Sequence, residues 1–264
     1  MSLTKASYSM ITGAPVNVLD FGADPTGSND SLAAFKAAIA SFPNNATFAP
    51  YNGGNTVIVP QGTYKMSGTL EIERSIILSG VTTPDGNAFT GSILEFDTGC
   101  IGIRVYDYRN SPSGTDAGGT TIQNLVIKTT RNSVAQEANC DGIRIETRAT
   151  IRNCVVALFG DCGINIIATS GGTPNGNANN WRIDNVRCAE NGYDGLYVDG
   201  ADVNAGVAIR LDCSNNGRHG IFDSSFLGNT YIGCHTSGNG ALVPGVSYKT
   251  DNVNARNKIG RAHV

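Results

Sequence analysis

The most constraining feature of this chain is a segment that recurs after 25 residues. Residues 186–196 read VRCAENGYDGL and residues 211–221 read LDCSNNGRHGI, so that Cys188 corresponds to Cys213. A weaker third copy at 232–242 places Cys234 another 21 residues along. Periods of about 20 to 50 residues indicate solenoids, in which each repeat forms one coil stacked on the last. The repeat therefore predicts a stack of β-coils, with equal positions of successive repeats lying above one another.

Stacking the repeats predicts two columns of buried side chains. Cys188 and Cys213 form the first column, where a small polarizable side chain packs closely and stays reduced. Asn191 and Asn216, each followed by glycine, form the second column, in which asparagine adopts a left-handed turn conformation and bonds to neighbouring backbone. The seven cysteines form neither a CxxC pair nor a cluster with histidine, so the pattern predicts no disulfide framework and no zinc site.

The beginning of the chain carries the pattern of a lid for such a stack. A short strand ends in a turn at Gly22, a helix of small apolar residues follows at 30–39, and a β-branched strand stops at Pro60. The first coil of a solenoid has unpaired backbone groups and an open apolar end that must be covered. We therefore expect an N-terminal α-helix that closes the first coil.

Three segments together resemble the pectate-lyase superfamily: the DFGA sequence at 20–23, the helix at 30–39 and the strand VIVPQGTY at 57–64. The leader at 8–18 is more specific, since it resembles the segment that precedes this domain in bacteriophage tailspikes. The resemblance implies an all-β fold, a single-stranded right-handed parallel β-helix with an N-terminal capping α-helix. It also implies a homotrimer in the full-length protein.

The domain organisation follows from the same resemblance. We expect a leader at 1–15, a β-helix domain at 16–258 whose cap and first strands occupy 16–64, and a tail at 259–264. The sequence after Lys258 lacks a closing repeat, which a solenoid needs as a terminal cap. It also reads as the translation of a sequencing adapter. We therefore expect a domain that is truncated at its C-terminal end and a tail that is an artefact.

Composition restricts the partners of this chain. Its 33 glycines among 264 residues fit a turn-rich repetitive protein, and a net charge of -3 with interspersed signs gives no basic stripe for nucleic acid or an anionic membrane. No apolar run is long enough to span a membrane, and the first residues lack the apolar stretch of a secretory signal. The tailspike resemblance implies a virion-tail protein, whose assembly in the host cytoplasm needs no secretory signal, with an extracellular protein as the alternative.

The candidate catalytic residues lie in the column that precedes the glycine opening each coil. This column consists of Asp141, Cys162, Asp194 and His219. A rise of about 4.8 Å per coil makes Asp194 and His219 neighbours and separates Asp141 from Asp194 by about 9.6 Å, the upper edge of the spacing in inverting glycosidases. One carboxyl group would protonate the leaving oxygen while the other activates water. Two further carboxylates are expected on the same face: Glu190 and Asp161.

Other interpretations of this column stay open. Asp, Asn and His before glycine are also ordinary turn residues, which makes a purely structural column an alternative. His219 and Arg218 would instead support β-elimination, in which a base removes the proton beside a uronate carboxylate. Trp181 is either a platform for sugar stacking or a partly buried strand start, and Tyr193 is a further candidate for substrate binding. Calcium needs several converging oxygens and no compact acidic cluster is visible, so no cofactor is expected.

Three functions follow from the resemblance and the column. The first is a tailspike-like receptor-binding protein that binds and depolymerises host capsule or lipopolysaccharide, by hydrolysis or by lyase-type cleavage. The second is a non-catalytic stalk or adhesin of a virion tail. The third is a free pectate-lyase-like enzyme, which the lack of a secretory signal and of a calcium cluster disfavours.

Overall fold

The computed structural model of the chain describes residues 14–42, 55–82, 89–112, 114, 117–240 and 242. The predicted leader, except for its last two residues, and the predicted tail at 259–264 lie outside these ranges. Nearly all secondary structure within them is β-strand. The described part contains one α-helix, and it has no helix long and apolar enough to cross a membrane.

The strands form two sheets in which the strand pairs are parallel. Burial alternates along the strands because successive side chains point into the coil and away from it. The first sheet has 13 strands: β1 (Val16–Asn17), β2 (Thr26–Asp30), β3 (Thr56–Ile58), β4 (Gly62–Met66), β6 (Ile77–Ser79), β7 (Ser92–Phe96), β9 (Thr120–Gln123), β10 (Val126–Thr129), β12 (Ala149–Ala157), β14 (Arg182–Ala189), β16 (Val207–Ser214), β18 (Thr230–Ile232) and β19 (His235–Ser237). The second has six: β5 (Leu70–Ile72), β8 (Ile103–Val105), β11 (Ile143–Ile145), β13 (Ile164–Ile167), β15 (Leu196–Gly200) and β17 (Ile221–Ser225). The predicted parallel β-helix is confirmed.

The 13-stranded sheet bends along a line of left-handed residues, which gives each coil three faces. Asn124, Asn153, Asn185 and Arg210 form this line, with φ angles of 57°, 51°, 54° and 51°. Asn153 donates a hydrogen bond to Asn124 at 3.2 Å, and Asn185 donates one to Asn153 at 2.9 Å. Asparagine tolerates this conformation because its short polar side chain bonds locally. This line was not predicted from the sequence. It divides the long strands β12, β14 and β16 into two halves.

The predicted alignment of the repeats is confirmed for two of the three copies. Cys188 lies beside Cys213 in the pairing of β14 with β16. The third copy is shifted by two residues, because Cys213 pairs with Thr236 and not with Cys234. The shift is already present before Gly233, because Val207 pairs with Thr230 and Ile209 with Ile232, so the coil is shortened in the connection between β17 and β18. All seven cysteines carry free thiols.

A ladder of buried asparagines confirms the second predicted column and sets the alignment of the third copy. Asn191 donates to Asn216 at 2.9 Å, and Asn216 donates to Asn239 at 2.9 Å. The left-handed residues are Glu190 and Asn215, one position before the ladder, rather than the ladder asparagines themselves. The side-chain amides therefore satisfy buried groups of adjacent coils, while the preceding residue makes the turn.

The predicted capping helix is confirmed as α1 (Leu32–Ala40). Its buried face consists of Ala34, Phe35, Ala38 and Ile39. The ring of Phe35 meets the edge of the Tyr64 ring, with centroids 5.4 Å apart. The helix also contacts β5 and the short 3-10 helix Val18–Phe21. These contacts cover the apolar end of the coil, which would otherwise be exposed to water.

Candidate functional site

The predicted column lies at the start of the strands of the six-stranded sheet. Each glycine amide that follows a column residue donates to the carbonyl oxygen of the column residue in the next coil, at 2.8 to 3.0 Å. The order along the stack is therefore Asp141, Cys162, Asp194 and His219. Asp194 and His219 belong to adjacent coils, whereas Asp141 and Asp194 are two coils apart.

Asp194 is fully buried and joins two residues of the next coil. Its carboxylate accepts hydrogen bonds from Nε of Arg218 at 3.0 Å, from Nη2 of Arg218, and from the amide of His219 at 2.9 Å. The ring Nδ1 of His219 lies 3.0 Å from the same carboxylate. Burial alone would raise the pKa of Asp194, but the hydrogen bonds from His219 and Arg218 outweigh it and hold the pKa below its ordinary value.

Asp141 is equally buried, and it accepts hydrogen bonds from Arg144 at 2.8 Å and Asn165 at 2.9 Å. Burial raises the pKa of Asp141 in spite of Arg144, and the nearby Asp161 raises it further. Neither Asp141 nor Asp194 has an accessible side chain. Both carboxyl groups turn back into the protein and bond to its own donors, which disfavours the predicted action of this pair on a sugar as acid and base.

His219 is the member of the column that reaches the surface, with 29% of its side chain exposed. With a proton on Nδ1, the ring donates to Asp194 and keeps Nε2 as an acceptor. The ring also stacks on Phe222, with centroids 5.4 Å apart. Asp194 and Phe222 thus fix an imidazole whose Nε2 can take a proton from a ligand.

An aromatic and basic patch surrounds His219 on the outer face of the six-stranded sheet. Tyr197 and Phe222 are partners in the pairing of β15 with β17, and their rings stack at 5.1 Å with 6° between the planes. The guanidinium of Arg218 lies within 5.8 Å of three ring centroids, those of Tyr193, Tyr197 and Phe222. The patch therefore combines flat apolar rings with a cation held over them.

A tyrosine and an aspartate extend the patch along β15. Tyr197 lies with its hydroxyl 3.1 Å from Oδ2 of Asp199, which also accepts a hydrogen bond from Ser224. Burial raises the pKa of Tyr197 to about 12, and the charge of Asp199 adds to this. The phenol therefore stays protonated at neutral pH and donates its proton to the hydrogen bond with Asp199. The sequence analysis missed Tyr197, Asp199 and Phe222, although the outward positions of the alternating strands LYVD and IFDS would have indicated them.

Comparison with known proteins assigns the chain to a family. Residues 15–241 match the family described as rhamnogalacturonase A/epimerase, pectate lyase-like. The chain belongs to this family. The resemblance to the pectate-lyase superfamily is thereby confirmed over most of the chain.

Proteins similar to this pectate lyase-like chain include a galactosidase by sequence, and a viral protein and an epimerase module by fold. Alpha-1,3-galactosidase A of Peterkaempfera griseoplana is 36% identical over 115 residues, which are 43% of this chain and 14% of that protein. ORF18 of Geobacillus virus E2 matches with a TM-score of 0.59 and 17% identity, over 88% of this chain and 44% of that chain. The A-module of mannuronan C-5 epimerase AlgE4 from Azotobacter vinelandii matches with a TM-score of 0.60 and 19% identity, over 85% of this chain and 57% of that chain. The chain spans less than two thirds of each relative, and the structural likeness shows the shared fold.

The outer face of the six-stranded sheet carries a row of arginines, each backed by a buried carboxylate. The pairs are Arg104 with Glu146, Arg144 with Asp141, and Arg218 with Asp194. The carboxylate side chains are at most 1% exposed, whereas the arginine side chains are 20% to 30% exposed. This row therefore offers guanidinium N–H groups to a ligand and keeps the paired carboxylate oxygens out of reach.

Two other predicted site residues lie away from the patch. Trp181 is fully buried and donates to the carbonyl of Val203 at 2.9 Å, so the sugar platform is wrong and the strand start before β14 is the correct interpretation. Glu190 lies at the end of β14 and lines a pocket of the 13-stranded sheet, which corrects its predicted place beside the column. The reason is that the chain crosses from one sheet to the other between Glu190 and Asp194.

Asp161 stays beside the column, where it accepts a hydrogen bond from the amide of Asn139 at 2.8 Å. Asp141, Asp161 and Cys162 place one potential metal ligand each within 4.8 Å of one another. Burial raises the pKa of the Cys162 thiol well above its ordinary value, and the carboxylates around it add to this. Two carboxylates are far fewer than the about six to eight oxygens that calcium takes, so this group does not by itself form a calcium site.

Proposed function

We propose that this chain is the β-helix part of a tailspike-like receptor-binding protein, which binds a host-surface polysaccharide on the outer face of its six-stranded sheet and cleaves it there. The family is one of carbohydrate-active parallel β-helix proteins. The observation that carries the proposal is the pair of buried Asp194 and surface His219 beside the stacked rings of Tyr197 and Phe222. The resemblance of the leader supports a place in a virion tail and a homotrimeric assembly. In this proposal the β-helix domain extends to residue 258.

The patch suits a sugar ring that carries a carboxylate. The apolar face of a pyranose packs against the rings of Tyr197 and Phe222. The guanidinium of Arg218 uses two nitrogens for Asp194 and keeps other N–H groups for a second carboxylate. A uronate residue of an acidic polysaccharide would satisfy both features.

The reaction that this geometry supports best is β-elimination. Nε2 of His219 removes the proton from the carbon beside the uronate carboxylate, while Arg218 stabilises the negative charge that develops on that carboxylate. The electron pair of the broken C–H bond forms the new C=C bond, and the glycosidic C–O bond breaks. A water molecule supplies the proton to the leaving oxygen and regains one from the protonated ring of His219. Asp194 never touches the sugar and acts as a positioning residue for His219 and Arg218.

The test is to incubate the purified protein with a panel of capsular polysaccharides and lipopolysaccharides. Elimination produces unsaturated uronates, which absorb in the ultraviolet, together with new reducing ends. Hydrolysis produces reducing ends alone. We expect both signals on at least one acidic polysaccharide.

The residue assignment is tested by His219→Gln, which we expect to lower the cleavage rate at least about 100-fold, since the general base is lost. His235→Gln is a matched control, because His235 also has its Nδ1 3.1 Å from an aspartate, Asp212, but lies on the 13-stranded sheet. Full activity in His219→Gln, or an equal loss in both variants, would contradict the proposed site.

A non-catalytic stalk or adhesin is the second candidate, favoured by the burial of Asp141 and Asp194. This burial removes the two carboxyl groups that hydrolysis would use. In that case a polysaccharide binds and neither product appears, while Arg218→Ala weakens the binding. The same panel therefore separates the two functions.

A further inference from the structure

A second pocket, of about 340 Å³, lies on the outer side of the 13-stranded sheet. It is lined by Phe89, Val155, Arg187, Ala189, Glu190 and Asn215. The volume falls within the range of about 300 to 1,000 Å³ that is typical of small-molecule sites. None of these residues belongs to the patch around His219, so the pocket is a separate feature of the molecule.

The floor of this pocket is apolar, although it lies outside the coil. Val155 belongs to a small hydrophobic cluster, distinct from the main core, that also contains Val126 and Ala157, with Ile93 packed against it. The solvent side of a sheet normally carries polar side chains. Phe89 adds an aromatic ring that is 37% exposed. An apolar floor and an accessible ring are features of a surface that receives a ligand.

The wall of the pocket is polar and contains a glutamate in an unfavourable conformation. Glu190 has a φ of 59°, which costs free energy for a residue with a long side chain. The same position is also left-handed in the neighbouring coils, where it is held by Leu158, Asn215 and Gly238. The turn therefore accepts several residue types and does not require glutamate. At this position the carboxylate of Glu190 lines the wall of the pocket.

We propose that this pocket is a second carbohydrate site, which binds one neutral sugar residue of a glycan. The C–H face of the sugar packs against Phe89, and its hydroxyl groups bond to the carboxylate of Glu190 and the amide of Asn215. Arg187 forms an ion pair with Asp212 at 3.8 Å, so the carboxylate of Glu190 repels an acidic sugar and the pocket favours a neutral one. The row of arginines on the six-stranded sheet favours an acidic sugar over a neutral one.

The test uses saturation-transfer NMR and titration calorimetry with three neutral probes, maltohexaose, laminarihexaose and cellohexaose, and with an oligogalacturonate as the acidic comparison. We expect at least one neutral probe to bind. Glu190→Gly removes the carboxylate and suits the left-handed backbone, so it should weaken this binding about tenfold without lowering the thermal midpoint. Ala205→Gly is the matched control, because Ala205 is also left-handed, with a φ of 55°, and does not line the pocket.

Phe89→Ala should weaken the same probe, since the stacking surface is lost. The proposal is overturned if no neutral probe binds the wild-type protein, or if Glu190→Gly and Ala205→Gly bind it equally well. Polysaccharide cleavage is measured separately through His219. Glu190→Gly should therefore cleave at the wild-type rate, and a failure of the cleavage assay leaves the outcome of the binding experiment intact.

Discussion

Replacing Asp194 by asparagine tests whether the buried carboxylate holds the candidate site together. The wild-type carboxylate accepts hydrogen bonds from Arg218 and from the amide of His219, and it faces Nδ1 of the His219 ring. Asparagine has the same shape as aspartate, but its side-chain NH2 group is a hydrogen-bond donor. In Asp194→Asn this NH2 group must face an N–H group of Arg218 or His219, which is also a donor. Asp194→Asn also leaves the Arg218 cation without its counterion.

The magnitude follows from the burial of the two partners. Breaking a buried ion pair typically costs about 3 to 5 kcal/mol. Arg218 keeps 30% of its side chain exposed, so water compensates part of the lost interaction. We expect Asp194→Asn to lower the free energy of unfolding by about 3 kcal/mol at neutral pH.

The contribution of Asp194 to the free energy of unfolding depends on pH. The pKa of Asp194 in the folded protein lies below its ordinary value of 3.8, so its stabilising contribution is complete above that value and is lost as the pH falls through the folded-state pKa. The contribution of Asp141 to the free energy of unfolding depends on pH in the opposite direction. Its pKa is raised, so its contribution is complete at low pH and is lost as the pH rises through the folded-state pKa. We expect Asp141→Asn to stay within about 1 kcal/mol of the wild type at neutral pH.

The assay is urea denaturation of the wild type, Asp194→Asn and Asp141→Asn, each at neutral and at acidic pH. The loss caused by Asp194→Asn should shrink toward zero at acidic pH, where the wild-type carboxyl group is itself protonated. The reasoning is refuted if both variants lose the same free energy at neutral pH. It is also refuted if the loss in Asp194→Asn persists unchanged in acid.

Two further predictions concern the stack itself. Asn216→Ala should lower the free energy of unfolding by about 3 kcal/mol, since it removes buried hydrogen bonds to Asn191 and Asn239 at 2.9 Å, and a loss below about 1 kcal/mol in urea denaturation would contradict the ladder. Gly206→Ala should destabilise the protein by about 1 to 3 kcal/mol and shift the emission of the single tryptophan, because the added Cβ would lie 1.9 Å from the Trp181 ring. An unchanged emission spectrum and unfolding midpoint would contradict the packing of Trp181.

Much of the fold could be predicted from the sequence because a solenoid repeats its local pattern. The match between the segments around Cys188 and Cys213 predicted their pairing, and Asn191 with Asn216 predicted the ladder. The third copy was misaligned because Cys234 was matched to Cys213. Matching the Asn-Gly pair that forms the ladder would have given the correct alignment. A shorter connection between β17 and β18 lets the chain absorb this shift without losing a coil.

The composition of the candidate site was decided by the tertiary structure. Sequence alone placed Asp141, Asp194 and His219 in one column, and the structure keeps that order. It could not tell that the two carboxyl groups are closed off, because the arginines that bind them, Arg144 and Arg218, lie outside the column, and Arg218 belongs to another coil than Asp194. The register of the coils is encoded in each repeat. Which side chains stay open to a ligand depends on neighbours that only the stacking brings together, and so the contacts of Arg218 with both Asp194 and the rings of Tyr197 and Phe222 appear only in three dimensions.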